Sequence, residues 1–73
     1  MKLFYYPDTD SLYVELNERA SADSIEVAPG IVLDVDEQGN PVGIDIDRAS
    51  LRVQLERIEM SELPVRHLVV QNP

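Results

Sequence analysis

Residues 32–47 read VLDVDEQGNPVGIDID and hold five of the chain's fourteen carboxylates, side chains that could do chemistry. Asp34, Asp36, Glu37, Asp45 and Asp47 surround Gly39, and acidic, oxygen-rich loops of that kind hold Ca²⁺ or Mg²⁺. A calcium loop between helices places oxygen ligands at positions 1, 3, 5, 7, 9 and 12 with glycine at 6. Counted from Asp34, this stretch supplies Asp34, Asp36, Gln38, Gly39 and Asp45 at positions 1, 3, 5, 6 and 12. The context argues against that loop. Position 8 is Pro41, the shorter Asp45 replaces the bidentate glutamate, and both flanks alternate as strands. Gly39-Asn40 also suits a hairpin turn, because both residues tolerate positive φ.

Paired as a hairpin, 31–36 and 41–47 put Ile31, Leu33, Val35, Val42, Ile44 and Ile46 on one face. Leu33 then lies opposite Ile44 and Val35 opposite Val42, with 37–40 as the loop. Asp34, Asp36, Asp45 and Asp47 share the other face. Crowded carboxylates either stay solvated or recruit a cation, so these four are the weak candidate metal ligands, for Mg²⁺ or Ca²⁺. A metal-assisted hydrolase using that face is the alternative functional reading. The solvated face is the plainer one.

Other catalytic material is sparse. There is no Cys, and the one His, His67, sits in an apolar run beside Leu68 and Val69, where packing or exposure is the ordinary role. Ser24, Ser50 and Ser61 lack any nucleophile elbow or oxyanion loop. Gly30, Gly39 and Gly43 form no phosphate cradle. No catalytic residue and no cofactor are expected. All four aromatic residues, Phe4, Tyr5, Tyr6 and Tyr13, fall in the first two predicted strands. Tyr13 alternates onto the polar face of Glu15, which makes it an interface candidate or a ring lying over its own chain.

The elements that must position these groups form a single small domain over residues 1–73. KLFYY (2–6) and SLYVEL (11–16) flank the turn-forming PDTD (7–10), and a further strand is read at 24–28. Pro29-Gly30 reads as a type II turn or as a kink in one long strand. Asp47 is placed as the cap of a helix over about 48–58, because Leu51, Leu55 and Ile58 recur at helical spacing. Leu51, Val53 and Leu55 also fit strand alternation. Pro64 ends that segment, and VRHLVV (65–70) reads as a final strand or apolar tail. The predicted class is α+β: an antiparallel sheet of four or five strands, one short helix packed on one face, and a C-terminal strand or tail. The predicted core is Leu3, Leu12, Val14, Leu16, Ile25, Ile31, Leu33, Val35, Val42, Ile44, Ile46, Leu51, Leu55 and Ile58.

Net charge is −8, with −9 on residues 1–47 and +1 on 48–73. Acidic charge repels nucleic acid and anionic membrane, so neither is an expected partner, whereas a small basic protein would be attracted. The missing Cys fits a reducing compartment, no apolar run reaches the ~20 residues a membrane span needs, and the N-terminus lacks a signal pattern. The expected location is the cytoplasm. A chain this short has a thin stability margin, and exposed sheet edges invite pairing, so a homodimer is expected.

"YPDTDSLYVEL" followed by "EVAPGIVLDVDEQGNPVGIDIDRAS" resembles the small prokaryotic family known as domain of unknown function 2283. The positions that carry the resemblance are Tyr6, Pro7, Asp10, Leu12 and Tyr13; Pro29 and Gly30; Asp34, Asp36 and Gly39; Gly43, Ile44, Ala49 and Ser50. They cover about residues 5–50, with Asp45 where the family usually has Glu. The resemblance implies an antiparallel sheet followed by a helix, a fold similar to that of HicB-type antitoxins, and no assigned activity. The functional expectation is a non-enzymatic protein–protein interaction module, antitoxin-like in its narrower form.

Overall fold

A computed structural model of the chain describes residues 1–71. Five strands, β1 (Lys2–Tyr6), β2 (Ser11–Glu15), β3 (Asp23–Ala28), β4 (Ile31–Val35) and β5 (Pro41–Ile46), precede one short helix, α1 (Ala49–Arg52). All pairings are antiparallel, and the spatial order is β1-β2-β5-β4-β3. The three consecutive strands β3, β4 and β5 form a meander, and β2 reaches the far side of β5 through the connection at 16–22. That is Greek-key order.

Local chemistry sets each turn. Asp10 closes the β1–β2 hairpin at φ 51, and Gly30 closes the β3–β4 hairpin at φ 77. Pro29-Gly30 is therefore a tight turn with Ala28 opposite Ile31, not a kink in a continuous strand. Between β4 and β5, Asp36 Oδ1 accepts from the backbone N–H of Gln38 (3.0 Å) and Asn40 (2.8 Å), and Gly39 adopts φ 83. An aspartate folding its own turn in this way is a recurrent loop device.

The strand register produces two faces of opposite character. On one face Leu3, Val14, Ile44, Leu33 and Ile25 form an unbroken row across all five strands. Tyr5, Leu12, Ile46, Ile31 and Ala28 form a second row beside it. The other face carries the rows Lys2, Glu15, Gly43, Asp34, Ser24 and Phe4, Tyr13, Asp45, Val32, Glu26.

Several expectations need correction. Leu33 does pair with Ile44, but a register shift at Asp34/Val35 sets Val35 opposite Pro41 instead of Val42. The helix covers four residues, not eleven. Arg48 takes a left-handed conformation (φ 52, ψ 48) that cannot begin a right-handed helix, and Val53 is already extended. Asp47 does not cap it. The caps come from Asp10, forty residues away from Ser50: its carbonyl accepts from the Ala49 N–H (2.8 Å) and its carboxylate from the Ser50 N–H (3.0 Å). This ties α1 to the β1–β2 turn at one end of the sheet, and Arg52 Nη1 donates to the Pro29 carbonyl (2.7 Å) at that same end. No strand forms over residues 65–70.

The core is smaller than expected. Among the described residues, Val35, Val42 and Ala49 are its buried apolar residues, and no large side chain is fully enclosed. Leu12, Val14, Leu16, Ile31, Leu33, Ile44, Ile46 and Leu55 are only half-buried. Leu3 and Ile25 are about half exposed, while Leu51 (80%) and Ile58 (69%) stand in solvent. Full burial of such a side chain stabilises by about 1.5–3 kcal/mol, so an incompletely covered apolar face forgoes part of what the sequence pattern provides.

Candidate functional site

The polar face is built around Asp34. Its register partner on β5 is Gly43, whose missing side chain leaves room for the Tyr13 ring to cross from β2. Tyr13 Oη donates to Asp34 Oδ2 at 3.0 Å, and Ser24 Oγ on β3 donates to Asp34 Oδ1 at 2.7 Å. One carboxylate thus accepts from strands on both sides. Partial burial, and then the bond to Asp34, raises the Tyr13 pKa, so its hydroxyl stays protonated and available as a donor. Tyr13, read from the sequence as an interface candidate or as a ring lying over its own chain, spends its hydroxyl within its own chain.

The four candidate ligands do not converge. Asp34 and Asp45 do share the polar face. Asp36 leaves the face for the turn, where it is 7% exposed, receives Asn40 Nδ2 at 3.4 Å and faces Arg19 at 3.6 Å. Asp47 lies one residue beyond β5, its backbone N–H bonded to the Gly30 carbonyl. Among the described residues, no three His, Cys, Asp or Glu side chains stand where they could hold one metal ion.

Asp45 carries the electrostatic cost of this face. Partial burial, then the nearby Asp47 and Asp34 charges, pushes its pKa up. A raised folded-state pKa means the unfolded chain releases this proton more readily. Above the folded pKa the ionised group therefore opposes folding, and the opposition fades as pH falls through that value. Asp45→Asn is accordingly expected to raise Tm at pH 7 by about 1–3 °C and to have no effect below about pH 4. Thermal melts of both proteins at the two pH values check the sign.

A second polar cluster closes the helix end of the sheet. Asp10 accepts Tyr5 Oη (2.8 Å) and Ser50 Oγ (2.6 Å) besides the Ser50 N–H. Those bonds hold its pKa below the usual carboxylate range, with the Ser50 hydroxyl the largest cause and the Tyr5 hydroxyl next. A carboxylate so stabilised is a weak base, and its geometry is that of a clasp. Sequence reasoning placed Asp10 in a turn but gave no hint of its partners on the far side of the chain. Gly43 did leave a signal, because a glycine inside a strand often marks the close approach of another group.

A family model described as "Protein of unknown function (DUF2283)" matches residues 2–50. The chain belongs to this family. The DUF2283 match runs from the start of β1 to Ser50, so it takes in the whole sheet and both sides of the Asp10 clasp, and leaves residues 51–73 outside it. No curated protein and no solved structure matches the chain. The expected likeness to HicB-type antitoxins is not supported: the DUF2283 fold described here is a sheet with one four-residue helix. Among the described residues, no helix is long and apolar enough to cross a membrane. An open concavity among the described residues is lined by Arg19, Ala20, Ser21, Ala22, Asp36, Glu37 and Gln38 at the end opposite α1.

Proposed function

We propose that this protein is a non-enzymatic protein–protein interaction module, with an antitoxin-like role toward a small basic protein as its narrower form. One observation carries the reading. Two apolar rows cross all five strands on one face, and their members remain half-buried or exposed. A broad apolar face rimmed by polar residues is the surface of a protein that binds protein. The polar side chains brought together by the fold favour the same reading. Asp10, Tyr13, Ser24, Asp34, Asp36 and Ser50 bond one another or nearby backbone, which is the work of a scaffold. A charge of −9 on residues 1–47 would steer a basic partner and speed its arrival.

The product of the adjacent gene is the partner to try first. Purified and mixed with this chain, it is expected to form a complex with a Kd below about 10 µM, weakening at least about tenfold between 50 and 500 mM salt. Co-expression is expected to relieve any growth defect that the adjacent product causes. Absence of binding together with absence of relief would count decisively against the antitoxin-like form.

A further inference from the structure

We propose that the apolar sheet face is the interface of a homodimer, in which two copies of this chain pack sheet against sheet. The inference rests on the interaction-module reading and names the occupant of its apolar face. Charge decides between occupants. The rows Leu3–Val14–Ile44–Leu33–Ile25 and Tyr5–Leu12–Ile46–Ile31–Ala28 contain no charged group, and the Tyr5 hydroxyl is turned to Asp10. Glu15, Glu26, Asp34 and Asp45 belong to the rows of the opposite face. Two chains of charge −8 can therefore meet on this face with those four carboxylates pointing away into solvent. A basic partner, in contrast, has no electrostatic reason to choose it and is left the acidic face. Face-to-face packing of two sheets is also the standard way to cover a sheet that is apolar on one side.

Area sets a further condition. Five strands at ~4.8 Å spacing and five residues at ~3.3 Å rise give about 400 Å² of sheet plane, hence about 800 Å² for two copies. Stable interfaces bury about 1,200–2,000 Å². Residues 53–71 can supply the difference, because Ile58, Leu63, Val65, Leu68 and Val69 are each at least half exposed. Fully extended, this segment reaches about 60 Å, well beyond the width of the sheet. It carries Arg57 and Arg66 against Glu56, Glu59 and Glu62, a net charge of only −1, so an acidic second copy repels it far less than it would residues 1–47 at −9.

Sedimentation equilibrium of the full chain from 1 to 100 µM is expected to give twice the 8.2 kDa chain mass, with a dimer Kd below about 10 µM. Leu3 and Ile25 end one apolar row and are 51% and 46% exposed in the single chain, so lysine there costs the isolated fold little. Leu3→Lys with Ile25→Lys is expected to weaken the dimer at least about 100-fold while retaining strand circular dichroism. Glu26→Lys, on the other face, is expected to leave it intact. Should the double variant unfold, a mixed-label wild-type sample decides by intermolecular methyl contacts among Val14, Leu33 and Ile44. A wild-type monomer at 100 µM, a dimer indifferent to both lysines, or absent methyl contacts each overturns the proposal. A monomer that still binds the adjacent gene's product would overturn the dimer alone and leave the module reading standing.

Discussion

Gly43→Val is expected to destabilise the fold by about 2–3 kcal/mol, and Gly43→Ala by about 1–2 kcal/mol. Any Cβ at this position would lie 2.1 Å from Tyr13 Oη and 2.6 Å from Cζ, so the ring must swing away. The displaced ring loses its cover and its bond to Asp34, leaving that carboxylate with Ser24 alone. The cost is one of space, since Gly43 is not among the positive-φ glycines. An aromatic ring laid over a strand glycine is a known way to fix register, and here it also joins β2 to β4 across β5. Tyr13→Ala should therefore absorb much of the damage. In urea melts of the double-mutant cycle, a coupling of at least about 1 kcal/mol is expected. Additive losses would show that the two residues are independent and would remove Tyr13 from its place in the polar row.

Asp10→Ala is expected to lower Tm by about 5–10 °C, the loss of a helix cap compounded by release of Tyr5. The pH dependence gives a sharper test. The folded-state pKa of Asp10 is lowered by Ser50 and Tyr5, and that of Asp36 chiefly by the Asn40 N–H. The unfolded chain thus binds these protons at higher pH than the folded one. The stability they contribute is fully present above the ordinary carboxylate value of about 3.9 and is lost as pH falls through the lowered values. Wild-type Tm should fall between about pH 4 and pH 2. Asp10→Asn combined with Asp36→Asn should start lower and flatten that fall. An equally steep decline in the double variant would place acid sensitivity elsewhere.

What the sequence revealed depended on how local the cause was. The alternation of 31–36 and 41–47 is local, and it located the hairpin, its apolar face and the Leu33–Ile44 pairing. The bulge beyond Asp34 is not legible there, because alternation alone puts Asp36 on the polar face, whereas its carboxylate gathers the backbone of its own turn. Leu51, Leu55 and Ile58 recur at helical spacing and predict a longer helix than the four residues of α1. Periodicity stabilises a helix only where a core receives it, and Leu51 and Ile58 meet solvent. The pairing of β2 with β5 and the Asp10–Ser50 clasp had no local signature. They join residues 28 to 40 positions apart through geometry that exists only after the sheet has closed.

The Greek-key order has a consequence for the newborn chain. β2 gains its second neighbour only when β5 arrives, so the first hairpin must wait as a two-stranded ribbon, which is marginal in water. The β3–β4–β5 meander is built of short-range contacts and can assemble first, whereas its docking on β2 carries the cost of closing a long loop. Folding speed is thus set by one late, long-range encounter. Until it happens, the aromatic-rich N-terminal ribbon is the segment most exposed to wrong partners.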